Sequence, residues 1–136
     1  MTFAWSQELE TGNVTIDNQH KQLIDALNAL FYACRSGKGH EEVERTMDFL
    51  LGYTIKHFAD EEELQLRHDY PEYLVHRQFH IGFKDVAQKL RQELLRDGPT
   101  DALVKKAYVA LGDWLVNHIK GEDFKMAAYV QNRSQT

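Results

Sequence analysis

The chain has 136 residues, the usual length of one domain and long enough to bury a core without cross-links. Its one cysteine, Cys34, excludes an internal disulfide framework and favours a reducing compartment; with no secretory pattern at the N-terminus, we expect a cytoplasmic protein. The net charge of −5 argues against nucleic acid or an anionic membrane surface as a partner, and no apolar run approaches the about 20 residues that cross a bilayer.

Four helices are predicted in chain order, each from apolar residues spaced three and four apart. The first follows Asp17, a residue type common at helix N-caps, and ends before the glycine-rich turn 36–39. Pro71 suits the first turn of the third helix. The expected helices cover about residues 17–35, 41–65, 71–96 and from 101 onward.

Helices of this length joined by short turns must alternate in direction, which predicts an all-α, up-down-up-down four-helix bundle. We expect a single domain over residues 1–136, with the bundle at about 17–131. Residues 1–16 are too apolar for a free tail and should form an ordered N-terminal arm, whereas residues 131–136 should be disordered.

Five of the seven histidines fall on the inner faces of the predicted helices, and every helix contributes at least one. These are His20, His57, His76, His80 and His118. Glu61 lies one turn after His57, and His80 one turn after His76, so each pair shares a helix face. A single buried histidine is usually a hydrogen-bonded core residue. Five together with carboxylates are costly to bury without a compensating cation, which indicates a metal centre.

The donor types narrow the choice of metal. Five imidazoles and at least two carboxylates exceed a closed tetrahedral zinc site and are too rich in nitrogen for calcium or magnesium. Two octahedral ions that share bridging carboxylates fit the set, and iron suits mixed imidazole and carboxylate ligation. A ferritin-like site predicts Glu-x-x-His repeats, but no histidine here has a glutamate three residues before it.

The order and spacing of these residues resemble the hemerythrins, specifically their small bacterial members, over nearly the whole chain. The matching segments are Trp5…Leu9…Gly12…Ile16-Asp17-Asn18-Gln19-His20, His57-Phe58-Ala59-Asp60-Glu61, His76-x-x-x-His80 and Trp114-Leu115-Val116-Asn117-His118-Ile119 leading to Asp123. Each segment alone is weak, but the ordered set is specific. The resemblance implies reversible O2 binding at two iron ions with an oxo or hydroxo bridge, for oxygen carriage, storage or delivery.

The resemblance also implies that the two irons are coordinated unequally. His76, His80 and His118 would hold one iron and leave it coordinatively full. His20 and His57 would hold the other, which keeps an open position where O2 would bind.

Glu61 and Asp123 would bridge the two irons. Asp123 lies five residues after His118, so a regular helix would point it away from that histidine. Gly121 lies between them and loosens the backbone, and we predict a π-like distortion or an end of regular helix there. Glu122, one regular turn after His118, is the alternative ligand.

The family's O2 pocket corresponds here to apolar residues beside the ligand positions, although ordinary core packing would bury them as well. They are Phe58, Leu115 and Ile119, with Trp114 as a wall or support. Gln19 and Asp17 are candidates to hydrogen bond the outer nitrogens of the ligating histidines.

Two other functions stay open: an O2 or redox sensor that acts through a partner, and peroxide or nitric oxide scavenging at the same centre. The expected pocket has no dedicated acid or base, so we do not expect an enzyme. O2 is the expected partner, and with no exposed apolar stripe in the pattern we expect a monomer.

Overall fold

The computed structural model describes residues 3–36, 39–98 and 100–134, and all regular elements in that part of the chain are helical. The α-helices are α1 (Val14–Arg35), α2 (Gly39–Arg67), α3 (Tyr73–Asp97), α4 (Asp101–His118) and α5 (Phe124–Ser134). A short 3-10 turn, Gln7–Leu9, precedes them, and a π-helical segment, Ile119–Asp123, joins α4 to α5. The predicted all-α class is confirmed. Residues 37–38 of the predicted first turn lie outside the described residues.

The four long helices form a closed ring of neighbours. α1 packs against α2 and α4, while α3 packs against α2 and α4 on the opposite side. With short connections between consecutive helices, this arrangement is an up-down-up-down bundle, as predicted.

α1 begins earlier than the sequence pattern indicated. Asn13 is extended, and its side chain accepts a 3.0 Å hydrogen bond from the backbone N–H of Ile16, so Asn13 is the N-cap. Asp17 instead lies in the first turn, where its carboxylate accepts hydrogen bonds from the backbone N–H and the hydroxyl of Thr11, at 2.9 and 2.7 Å. The expected cap at Asp17 was wrong, because this acidic residue ties the arm to the positive end of the helix.

The described part of the N-terminal arm, residues 3–16, is ordered, and residues 1–2 of the expected arm lie outside the described residues. A cyclic network holds it: the Phe3 N–H donates to the Tyr108 hydroxyl (2.6 Å), Tyr108 donates to Asn28 Oδ1 (2.6 Å), and Asn28 Nδ2 donates to the Phe3 carbonyl (2.7 Å). Leu9 is buried, and the ammonium of Lys21 lies 4.4 Å from the centre of the Trp5 ring. The arm therefore covers α1 and α4.

The C-terminal end departs from expectation. Residues 131–134 belong to α5, so the expected disorder was wrong for them; residues 135–136 lie outside the described part. α5 is held because Met126 and Val130 are buried against Ile16 and Tyr70.

α3 exposes more apolar surface than the sequence pattern indicated. Its exposed large apolar residues are Leu74, Val75, Phe79, Ile81, Val86 and Leu95. In the described part of the chain, no helix is apolar enough over a sufficient length to span a membrane.

Two apolar clusters frame the middle of the bundle. The larger one fills the end where α1 finishes and α2 begins, and includes Leu27, Leu30, Met47, Leu50 and Leu90. The smaller one lies at the opposite end and contains Ile16, Tyr70, Met126 and Val130. On α1, His20 falls between Ile16 and Leu27, which places the predicted site residues between the two clusters.

Candidate metal centre

All seven residues expected as ligands meet in one buried cluster, and none exposes more than 5 % of its surface. They are His20 on α1, His57 and Glu61 on α2, His76 and His80 on α3, His118 at the end of α4, and Asp123 in the π-helical segment. Of the other two histidines, His68 is half-buried outside the cluster, and the side chain of His40 lies outside the described residues.

The cluster divides into two groups of donor atoms, of which the first contains three imidazoles. His80 Nε2 lies 3.1 Å from Glu61 Oε1, and His76 Nε2 lies 3.0 Å from Asp123 Oδ1. His118 Nε2 is 3.3 Å from the same Asp123 oxygen and 3.0 Å from His76 Nε2. We call these five residues the three-histidine group.

The second group contains two imidazoles and the other oxygen of each carboxylate. His20 Nε2 lies 2.9 Å from Asp123 Oδ2 and 3.6 Å from Glu61 Oε2, and His57 Nε2 lies 3.3 Å from Glu61 Oε2. We call it the two-histidine group. Glu61 and Asp123 thus each offer one oxygen to either group, the arrangement of a carboxylate that bridges two cations.

The spacing of the donor atoms suits metal coordination. Neighbouring ligand atoms around an octahedral ion with bonds of about 2.1 Å lie about 3 Å apart. The shortest donor contacts in both groups, between 2.9 and 3.3 Å, match this spacing. The residues present therefore fit two adjacent cations.

Many buried polar atoms in the cluster have no hydrogen-bond partner, although their neighbours are close. They include both ring nitrogens of His20, Nε2 of His80, Nδ1 of His76 and His118, and all four carboxylate oxygens of Glu61 and Asp123. A buried polar atom left unpaired costs about 1–3 kcal/mol. Cations at the centre would pair with the four oxygens and with the imidazole nitrogens that face them.

Mutual charge compensation perturbs the pKa values of the cluster. Burial alone lowers the pKa of His20 and His76, but the carboxylates of Asp123 and Glu61, 2.9 to 3.6 Å from their Nε2 atoms, outweigh it and raise both to about 9. Burial alone raises the pKa of each carboxyl group, but the surrounding imidazoles hold both well below the usual range. Without a metal, the site is a set of buried ion pairs, and protonated histidines take the place of the cation.

The π-helical segment decides which acidic residue joins the cluster. i→i+5 bonding adds one residue to the turn, so the fifth residue after His118 falls beneath it. Asp123 is consequently buried among the imidazoles, whereas Glu122 is half-buried and lines a surface cavity. The predicted distortion is confirmed, and the structure brings Asp123, not Glu122, to the centre.

Two of the four expected pocket residues contact imidazoles face to face. Phe58 stacks on His80 with ring centres 3.8 Å apart, and Trp114 stacks on His118 at 4.4 Å. These rings limit the rotation of two imidazoles in the three-histidine group.

The other two expected pocket residues, Leu115 and Ile119, lie in a separate apolar cluster. Its buried members are Leu9, Leu23, Ile24, Leu115 and Ile119. Leu23 and Ile24 follow His20 by one turn on α1, so this cluster adjoins the two-histidine group.

Hydrogen bonds to the outer ring nitrogens only partly follow the sequence expectation. Gln19 Oε1 lies 2.6 Å from His57 Nδ1, as expected of this candidate. Asp17 bonds Thr11 instead, because it lies in the first turn of α1. Glu62, which the sequence analysis missed, places Oε2 3.1 Å from His80 Nδ1. This contact joins α2 to α3, and no periodicity within one helix could reveal it.

Tyr70 is a second residue near the centre that the sequence analysis missed. Its ring centre lies 6.5 Å from that of His76 and 5.3 Å from that of Tyr129. Burial raises the pKa of Tyr70 to about 12, with the charges of Glu72, Glu122 and Asp123 adding to the shift. The phenol is therefore neutral at any physiological pH.

Known proteins are similar to this chain over most of its length. A family model described as the hemerythrin HHE cation binding domain matches residues 11–130. The bacteriohemerythrin of Pseudomonas paraeruginosa is 31% identical over 126 residues, which cover 93% of this chain and 78% of the relative. That of Stenotrophomonas maltophilia is 32% identical over 127 residues, covering 93% and 80%.

A solved crystal structure of a point mutant shares the fold, with a TM-score of 0.84 at 24% sequence identity. The match covers 94% of this chain and 96% of the other. Together with the matched family model, these likenesses agree with the buried cluster of imidazoles and carboxylates. The chain belongs to the hemerythrin family and carries its cation-binding domain.

Proposed function

We propose that this chain binds O2 reversibly at a pair of non-haem iron ions and serves to carry, store or deliver oxygen. The observation that carries the proposal is the division of the Glu61 and Asp123 oxygens between two adjacent donor groups. Membership of the hemerythrin family supports it.

Iron is the cation that best fits the donors. The seven side chains combine neutral imidazoles with carboxylates, a mixture that suits iron better than calcium, magnesium or a closed zinc site. In the proposed assignment, all seven side chains would hold the two ions, with Glu61 and Asp123 shared between them. A ferrous pair held in this way would supply the two electrons that reversible O2 binding requires.

The chain would hold the two ions unequally. The two-histidine group offers one imidazole fewer, so an ion held there would have room for an exogenous ligand. Leu23, Ile24, Leu115 and Ile119 pack together beside this group. An aliphatic wall admits apolar O2 and holds back water and larger reductants, which favours release of O2 unchanged.

We propose a binding protein, not an enzyme, because the buried members of that wall are all aliphatic and offer no proton donor or acceptor. The single cysteine supports a reducing compartment, which we take to be the cytoplasm, and the negative net charge supports a protein that engages neither nucleic acid nor membrane.

Iron quantification together with absorption spectra tests the proposal. Purified protein should contain two irons per chain, and air followed by deoxygenation should produce and then abolish an oxygenated spectrum over repeated cycles. H118A should lose iron, whereas H68A should keep it, because His68 lies outside the cluster. Protein that folds with iron but shows no reversible spectral change would contradict the proposal.

The same preparation separates the alternatives. Turnover of peroxide or nitric oxide faster than reversible O2 exchange would indicate scavenging. O2-dependent binding to another protein would indicate a sensor. A carrier should show O2 exchange over many cycles without net consumption of a substrate.

A further inference from the structure

Gln19 bonds to a candidate ligand on one side and to a surface carboxylate on the other. Its Oε1 lies 2.6 Å from His57 Nδ1, and its Nε2 donates to Asp60 Oδ2 at 3.0 Å. The same Asp60 oxygen lies 3.3 Å from the ammonium of Lys56. A continuous chain of contacts therefore runs from exposed Lys56 to the buried imidazole of His57.

This chain of bonds determines the tautomer of His57. A carboxylate only accepts, so the amide NH2 of Gln19 must face Asp60, and its carbonyl must face His57. His57 Nδ1 is then the hydrogen-bond donor. Its Nε2, which faces Glu61 Oε2 at 3.3 Å, is left with the lone pair that binds a cation.

The two donor groups receive different support. In the three-histidine group, His80 Nδ1 faces a charged carboxylate, that of Glu62, at 3.1 Å. In the two-histidine group, His57 faces a neutral amide. A neutral acceptor makes an imidazole less electron-rich than a carboxylate does, so it favours the ferrous state at the ion that keeps the open position.

We propose that Gln19 is a positioning residue that sets the reduction potential and O2 affinity of the ion in the two-histidine group. Asp60, at the protein surface, adjusts how strongly Gln19 accepts the hydrogen bond from His57. Asp60 strengthens the Gln19 carbonyl as an acceptor, because hydrogen bonds in a chain polarise one another. The side chain of Asp60 is 43 % exposed, and it lines with Gln19 and Glu61 a surface cavity of about 250 Å³. The inference rests on the proposed di-iron function.

Four variants test the proposal. Q19L removes both bonds, and D60N keeps a hydrogen-bond acceptor but removes its charge. Q19E is always made in the D60N background, because two carboxylates 3.0 Å apart would share a proton; it replaces the neutral acceptor with a charged one. E63Q is the matched control, because Glu63 lines the same cavity and loses the same charge outside this chain of contacts.

The first measurement is the reduction potential of the iron-loaded protein, with O2 affinity beside it. In Q19L, the reduction potential should rise and the O2 affinity should fall. D60N should show the same two changes at smaller size, and E63Q should show the smallest changes. Q19E should change both in the opposite direction. Opposite signs for Q19L and Q19E separate tuning from structural damage, which would lower iron content in both.

The second measurement does not depend on O2. In zinc-loaded protein, the His57 Nδ1–H resonance should shift upfield in Q19L and D60N and downfield in Q19E, and zinc affinity should fall about tenfold in Q19L. If the zinc-loaded variants show these resonance shifts but the iron-loaded wild type fails to bind O2, the proposed function fails while the positioning role holds. If D60N equals E63Q and Q19E follows Q19L, the positioning role is overturned whatever the O2 result.

Discussion

Asp123 Oδ1 lies 3.3 Å from His118 Nε2, although the two residues are five positions apart on what would otherwise be one continuous helix. The π-helical segment between them makes this contact possible, and it also brings Asp123 Oδ2 within 2.9 Å of His20 Nε2 on the neighbouring helix α1. One irregular turn thus positions the carboxylate between both donor groups. Its acidic neighbour, Glu122, stays at the surface.

The bridging assignment predicts unequal effects for two adjacent amide substitutions. D123N should reduce iron content to less than one ion per chain, because a neutral amide replaces a bridging carboxylate; the loss of affinity should exceed about tenfold. E122Q should keep two. Iron per chain and the visible spectrum of the aerobic protein measure the difference. Equal iron in both variants would remove Asp123 from the ligand set.

The packing of the N-terminal arm against α4 predicts different effects for a second pair of variants. A Cβ at Gly112 would lie 2.0 Å from Cε2 of Phe3, so G112A must displace the ring. We expect G112A to destabilise the protein by about 1–3 kcal/mol in urea unfolding. G52A should be neutral or stabilising by up to about 1 kcal/mol, because nothing lies within 4 Å of its Cβ on α2.

A double variant checks the cause of that effect. Removing the Phe3 ring in the G112A background should recover part of the lost stability, because the methyl group then has space. Additive losses from F3A and G112A would show that the ring and the glycine do not interact.

The fold and most of the cluster could be predicted because they depend on local spacing. Histidines one turn from apolar residues face the core in any regular helix, and this holds for His20, His57, His76, His80 and His118. Short turns then force consecutive helices to run in opposite directions. Periodicity and connection length were enough for the fold and the five histidines, whereas the choice of Asp123 came from the family resemblance.

Contacts between helices could not be predicted in the same way. Glu62 bonds His80 because α2 and α3 pack at a particular rotation, which the sequence of either helix does not reveal. The N-cap at Asn13 was missed for a different reason. Asn and Asp are both favoured at N-caps, and only the extended backbone at Asn13 decides between Asn13 and Asp17. The end of α5 was missed because its stability comes from packing on Ile16 and Tyr70.

The metal-free protein should lose stability as the pH rises from about 6.5 to about 9. His20 and His76 have a pKa of about 9 in the folded protein against the ordinary 6.5 of an unfolded chain, so their contribution to stability is present below pH 6.5 and disappears as the pH passes 9. The lowered pKa of Glu61 acts in the opposite sense: its contribution is present above 4.5 and declines as the pH falls through its lowered folded value. The metal-free protein should therefore be most stable between about pH 4.5 and about pH 6.5.

Urea midpoints of the metal-free protein across that pH range measure the effect. Zinc-loaded protein should show the opposite trend below about pH 9, because the imidazoles must lose their protons to bind a cation. A metal-free midpoint that stays constant or rises from pH 7 to 9 would contradict the assigned protonation.

The aliphatic wall beside the two-histidine group predicts a specific effect on oxidation of the iron. Ile119 is fully buried, so I119A should open a cavity, cost about 2–5 kcal/mol, and let water reach the open position. The oxygenated protein should then autoxidise faster, with I119V intermediate because it removes a single methylene. I55A is the matched control, since Ile55 is 45 % exposed on α2. The single-exponential decay of the oxygenated spectrum at a fixed temperature gives the autoxidation rates. Circular dichroism checks that every variant is folded at the protein concentration used. If I119A decays as slowly as I55A, exclusion of water does not depend on this wall, and the route to the centre must be sought at the surface cavities that Glu61 and His118 line.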